Sequence, residues 1–180
     1  MGFNDSDILS ALRQDPEEGF RMLAEKYGEP LYWHIRRLVS LHADAQDATQ
    51  ETFVRIFRSF RHFKNDCSFK SWLYKIATNE ALRILSQRGK RQSALSELPD
   101  GGELDMPADE YTDFSDLEAV KLQRAIQSLP EKQRLAFNLR YYDELGYEEI
   151  AEIAGSTVAA VKANYHFAKE KIVEYMNTHD

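Results

Sequence analysis

The stretch "EEIAEIAGSTVAAVKANYHFAKEKI", residues 148–172, holds two apolar helical repeats that meet at one glycine. Ala151, Gly155 four positions on and Val161 six beyond that have the spacing of a helix-turn-helix. Such a motif needs a small residue where the helices cross, a glycine free to take the left-handed turn, and an apolar residue that pins the second helix. Ser156 and Thr157 precede that second helix, where a hydroxyl caps the first turn and can meet a phosphate. Lys162, His166 and Lys169 fall near one face at helical spacing, and with Asn164 they can reach bases or backbone. The stretch contains no arginine, so it lacks the usual bidentate reader of guanine. Alone it is expected to bind DNA weakly, with most of the affinity coming from another domain or a partner. A plain helical hairpin with a solvated lysine face is the competing reading.

A formal net charge of −7 over 180 residues, taken as a whole, opposes contact with phosphates. Position along the chain removes the conflict. Residues 92–120 carry nine acids and no Lys or Arg, whereas residues 52–91 carry ten Lys and Arg against only Asp66 and Glu80. That cationic density is the footprint of a nucleic-acid face. No apolar run approaches the roughly 20 residues of a membrane span, and the N-terminus lacks the layout of a secretory signal, so a cytoplasmic protein without membrane insertion is expected. The single cysteine, Cys67, excludes an intrachain disulfide, and five scattered histidines give no metal-ligand spacing. No glycine-rich phosphate loop, paired catalytic carboxylates or nucleophile elbow is present, so neither an enzyme nor a cofactor is expected.

Helical periodicity runs through the rest of the chain. In "DPEEGFRMLAEKYG", Asp15 reads as the N-cap, Pro16 as the first helical residue and Gly28 as the stop, with Phe20, Leu23 and Tyr27 on one face. Leu31, Ile35 and Leu38 follow after Pro30, then Phe53, Ile56 and Phe60, and a fourth helix starts behind Ser68. Pro99, Gly101, Gly102 and Pro107 among many acids mark residues 92–114 as a flexible linker. Ser115 and Glu118 form a capping box that opens a second helical module. The expected fold is all-α, with two small helical domains, 1–91 and 115–180, joined by the acidic connector 92–114.

On a 100° wheel, Leu73, Ala77, Ala81, Ile84 and Leu85 of the fourth helix share the core side. Trp72, Ile76, Asn79 and Arg83 lie roughly opposite, with Lys75 beside them. An aromatic ring among cations suits stacking on an unpaired base while the backbone is neutralised. Packing of Trp72 on a neighbouring helix would give the same pattern. Upstream, Lys64, Asn65, Asp66 and Ser68 form a polar loop that either receives an extruded base or simply caps the next helix.

In this order, "DAQDATQETFVRIF", "SFKSWLYKIATNEALRIL", an acidic tether and "LPEKQRLAFNLRYYDELGYEEIAEIAGSTVAAVKANYHFAKEKI" resemble the extracytoplasmic-function (group IV) sigma factors of bacteria. The resemblance implies a region 2-like bundle and a region 4-like helix-turn-helix, acting with core RNA polymerase in promoter-specific initiation. It implies that Asp47, Gln50 and Glu51 dock on the β′ coiled coil and that the β flap is a further contact on core polymerase. The loop residues Lys64, Asn65, Asp66 and Ser68, with Trp72, Lys75, Asn79 and Arg83, would recognise and melt the −10 element, paying an unstacking cost of about a few kcal/mol to flip a base. Ser156, Thr157, Lys162, Ala163, His166, Phe167 and Lys169 would contact the −35 element. Where many members carry "VKSRLHRA", this chain has "VKANYHFA", so the resemblance does not imply which −35 sequence it prefers, and a weaker salt dependence is expected of the isolated module. The tether would thread into the basic cleft and exit path that the polymerase builds for RNA. An anti-sigma factor joins the implied partners, no obligate homo-oligomer is expected, and nucleoid association would follow from holoenzyme formation. A self-sufficient regulator binding palindromic duplex, or an antagonist of another factor, are the rival classes.

Overall fold

A computed structural model describes residues 2–96 and 116–179, which fall into two compact helical units on either side of the segment 97–115. The acidic connector therefore lies mostly outside the described residues. Among those described there is no strand.

The first unit contains α1 (Asp5–Gln14), α2 (Pro16–Val39), α3 (His42–Ser59), a 3-10 turn (Phe60–His62) and α4 (Phe69–Ser96). Asn4 and Asp7 cap α1 reciprocally: the Asn4 side chain accepts from Asp7 N at 2.8 Å, and the Asp7 carboxylate accepts from Asn4 N at 3.4 Å. Asp15 caps α2, accepting from Glu18 N at 3.3 Å, with Pro16 as the first helical residue. The stop expected at Gly28 does not occur; α2 continues through Gly28 and Pro30 to Val39. A proline inside a helix costs about 3 kcal/mol. Here an unbroken buried stripe of Leu23, Tyr27, Leu31, Ile35 and Leu38 outweighs it, since each fully buried large side chain contributes about 1.5–3 kcal/mol.

Ser68 opens α4 as expected, its hydroxyl accepting from Ser71 N at 3.0 Å. The helix runs on to Ser96, so the tether expected from residue 92 begins as helix. No proline or glycine stands between Gly89 and Pro99 to stop it earlier. α1 packs on α2, and α2, α3 and α4 pack on one another around Leu12, Leu23, Ile35, Ile56 and Leu73. The α1–α2 crossing is close: a Cβ on Gly19 would lie 2.4 Å from the backbone nitrogen of Leu12.

The second unit contains α5 (Leu117–Gln127), α6 (Glu131–Tyr141), α7 (Tyr147–Ala154) and α8 (Val158–Thr178). The cap of α5 is Asp116, one residue after the expected Ser115; its carboxylate accepts from Glu118 N and Ala119 N, both at 3.1 Å. Ser115 itself lies outside the described residues. α8 packs on α5, α6 and α7, and Ala125, Ile126, Leu129, Phe137, Ala168 and Ile172 form a common core. Gly155 ends α7 at φ +61°, the left-handed conformation that a glycine adopts without steric cost. Of the two hydroxyls before α8, Thr157 is the cap, accepting from Ala160 N at 3.1 Å. The small residue, turn glycine and apolar pin of the helix-turn-helix are thus in place: Ala151 and Val161 are buried on either side of Gly155.

Candidate nucleic-acid interface

The α4 face is built from the loop upward. Phe63 and Phe69 are buried and anchor the loop between them, while Lys64, Asn65 and Asp66 are exposed. Asn65 takes φ +57°, a left-handed conformation that asparagine tolerates better than most side chains. Trp72 is half-buried, with its ring 5.2 Å from that of Phe63 and stacked on Phe69 at 6.0 Å with 18° between planes. The Trp72 ring therefore packs on Phe69 of its own helix and Phe63 of the loop rather than on a neighbouring helix, and the residue keeps part of its surface in solvent. Lys75, Asn79 and Arg83 are exposed and Ile76 is half-buried, on the side away from the buried Leu73, Ala77 and Ala81. Ile84 and Leu85, expected in the core, are only half-buried.

Two depressions flank this face. One, of about 680 Å³, is lined by Asn65, Cys67 and Ser68 of the loop and by Ser6, Ser10 and Arg13 of α1. It brings Asn65 and Ser68 together but leaves Lys64 and Asp66 out of the lining, and the hydroxyl of Ser68 is engaged in capping α4. The α1 wall had no sequence signal, because nothing in the periodicity of α1 says which loop it faces. The other depression, about 400 Å³, lies between α3 and α4, with Arg55, Arg58 and Ser59 facing Ile76, Asn79 and Glu80. Glu80 is 2% exposed. Arg55 Nε meets one of its carboxylate oxygens at 2.5 Å, and Arg83 donates Nε to the other at 2.9 Å and approaches it with an Nη at 2.8 Å. In the sequence Glu80 counts only as an acid among cations; its burial and its reach to α3 depend on helix packing.

On α3, Asp47 and Gln50 are exposed and Glu51 is half-buried, 3.4 Å from Arg55. They rim a shallow depression of about 470 Å³ together with Phe53 and Val54. Val54 (39% exposed) and Phe57 (51%) extend this face with apolar surface that periodicity alone had not singled out. Phe57 is held edge-on to Phe20 at 5.5 Å.

In the second unit, Ser156, Lys162, Ala163, His166 and Phe167 are exposed along the start and outer side of α8. His166 Nε2 lies 3.2 Å from a carboxylate oxygen of Glu170. Lys169 sits over the ring of Tyr165, 4.7 Å from its centroid. Tyr147 and Arg140, absent from the sequence reading, pack against this surface, for Lys162 and Arg140 both lie over the Tyr147 ring.

Comparison with known proteins follows the same division. Residues 23–91 match the family described as Sigma-70 region 2, and residues 119–172 match Sigma-70, region 4. The chain is 30% identical to the RNA polymerase sigma-H factor of Pseudomonas aeruginosa, covering 93% of this chain and 91% of that one. It is also 30% identical to the ECF RNA polymerase sigma-E factor of Haemophilus influenzae, covering 93% of each. Its fold resembles the sigma factor RpoE of Bartonella quintana, solved in complex with the anti-sigma factor NepR, at a TM-score of 0.73 and 24% identity over 89% of this chain and 98% of that one.

Proposed function

Since the chain belongs to the extracytoplasmic-function sigma factors, and is thus an alternative sigma factor directing promoter-specific transcription initiation, we propose how its faces divide that work. The α4 face and its loop recognise and open the −10 element. Trp72, Lys75, Asn79 and Arg83 stack on and neutralise the unpaired strand, while Asn65 and Ser68 border the cleft that receives an extruded base. The observation that carries this is the seating of Trp72: a ring stacked on Phe69 in a residue that is only partly buried, beside exposed Lys75 and Asn79. Base–aromatic stacking contributes about 1–3 kcal/mol per base, enough to offset the unstacking of one nucleotide.

Asp47, Gln50 and Glu51, with the apolar Val54 and Phe57 beside them, dock on the β′ coiled coil of core polymerase. Lys162, Ala163, His166 and Phe167 enter the major groove at the −35 element, with Thr157 setting the start of the helix and Ser156 and Lys169 at the backbone. An anti-sigma factor is the expected negative partner, as it is for the RpoE structure that this fold resembles. Among the described residues no helix is long and apolar enough to cross a membrane.

The test is transcription in vitro from a pool of random promoters with bacterial core polymerase, with and without the chain. Products that need the chain and share two short elements at fixed spacing support this division, and Asn79 and Lys162 variants then assign each element. Duplex binding by the chain alone, with core polymerase gaining no promoter use, would overturn it.

A further inference from the structure

A buried carboxylate in the middle of a cationic nucleic-acid face needs a reason. Taking Glu80 out of water costs several kcal/mol unless its oxygens are fully paired, and a negative charge there also repels phosphates. The pairing is complete: one oxygen takes Arg55 from α3, and the other takes the Nε and an Nη of Arg83 from α4. The two arginine side chains are 51% and 42% exposed, whereas that of Glu80 is 3% exposed. The carboxylate is therefore the fixed member and the guanidiniums are the outward ones.

A guanidinium presents five N–H donors in a planar fork. With its inner edge held by Glu80, each arginine keeps Nη donors for a second anion, and the rotamer freedom of a long side chain is already spent. Glu51 also approaches Arg55, but at 3.4 Å and with a side chain 37% exposed, so the shorter contact to the buried Glu80 sets the position. The depression between the helices places Arg58, Ser59 and Asn79 beside this pair. We propose that Glu80 is a positioning residue that presents Arg55 and Arg83 as a two-pronged clamp on the phosphates of the opened −10 strand. This rests on the assignment of the α4 face to the −10 element. It adds Arg55 as a DNA contact and gives the acid a role in specificity.

Two effects of removing the charge run in opposite directions, which makes the role testable. Glu80→Gln keeps the shape and leaves the face more positive, so general attraction to DNA is unchanged or stronger; the clamp loses its alignment, so opening at a true promoter falls. The experiment uses holoenzyme rebuilt from bacterial core polymerase and the full chain, on a promoter selected by the wild type and on an unrelated duplex. Glu80→Gln is expected to form about tenfold less open complex on the selected promoter, with retention on the unrelated duplex equal or higher, because only aligned phosphate contacts are lost. Glu80→Asp, which keeps the charge, is expected to recover most of the loss. In an Arg55→Gln, Arg83→Gln background, adding Glu80→Gln is expected to change open-complex yield by less than about twofold, as for residues acting through one another.

If Glu80→Gln does not fold, Arg55→Gln carries the test, since Arg55 is exposed. Its loss is expected to flatten the slope of log affinity against log salt by about 0.7 on an opened −10 segment. The inference fails if Glu80→Gln lowers only the denaturation midpoint while promoter opening and salt slope match wild type, or if its effect simply multiplies with that of the double variant. A wild-type holoenzyme that selects no promoter would overturn the functional reading and this inference together; wild-type selection with an unaffected Glu80→Gln would overturn the inference alone.

Discussion

The Lys162 ammonium lies over the ring of Tyr147, 5.6 Å from its centroid, and the Arg140 guanidinium lies over the same ring at 4.6 Å. Tyr147 begins α7 and Lys162 stands in the second turn of α8, so the ring joins the two helices of the motif at the end proposed to enter the groove. Cation–π contacts at exposed sites contribute about 0.5–1 kcal/mol. Tyr147→Leu is therefore expected to weaken use of the −35 element by about threefold to fivefold, with Tyr147→Phe close to wild type. Competition between promoters with and without that element measures it. Equal behaviour of Leu and Phe would mean that the ring does not position the lysine.

Gly155 holds φ +61° with no heavy atom within 4 Å of where a Cβ would stand. Space is therefore not the constraint, and a substitution meets backbone strain alone. Gly155→Ala is expected to lower the stability of the second unit by about 1–2 kcal/mol, and Gly155→Asn by less, because asparagine tolerates the left-handed region. Denaturant unfolding of the full chain, followed by a probe in the second unit, reads the difference.

Trp72 stacks on Phe69 and lies 5.2 Å from Phe63, and the residue is only partly buried. Trp72→Leu keeps apolar cover over Phe69 and removes the aromatic π-system. Promoter melting, followed by reactivity of unpaired thymines in the −10 element, is expected to fall about tenfold, in line with the worth of one base–aromatic stack. Trp72→Phe should retain most of the melting. If Leu melts the promoter as well as Trp does, the ring is only a packing residue.

How much of this was legible in the sequence depended on whether the deciding interaction was local. The turn at Gly155, the caps Asp15 and Ser68 and the Leu73–Ala77–Ala81 stripe rest on residues within a turn or two, and spacing exposed them. The continuation of α2 past Gly28 was hidden because local breaker signals oppose it and only burial of Leu31, Ile35 and Leu38 against other helices overrides them. Glu80 and Tyr147 escaped for a related reason: each gains its meaning from a neighbour on another helix. The resemblance to a known family carried the assignment of faces further than periodicity could, yet it did not single out Arg55 or the α1 wall of the loop cleft.

Asn138 is a polar residue in an apolar place. It is 0% exposed on α6, beside the buried Phe137 and Leu139, and neither its amide nitrogen nor its side-chain oxygen has a hydrogen-bond partner among the described residues. Its backbone oxygen is occupied, accepting from Tyr142 N at 3.0 Å, so the deficit lies in the side chain. An unsatisfied buried polar group costs about 1–3 kcal/mol, and leucine has nearly the same length and branching without that penalty. Asn138→Leu is expected to stabilise the second unit by about 1–3 kcal/mol, and Asn138→Asp to destabilise it by more than that, since a charge is costlier to bury than an amide. Urea unfolding midpoints of the full chain compare the variants. Promoter use at permissive temperature should remain at the wild-type level in Asn138→Leu, because the residue has no surface on any face assigned to DNA or polymerase. A lower midpoint for Asn138→Leu would mean that the amide has a partner in solution, such as a buried water, and that the asparagine supports the fold rather than weakening it.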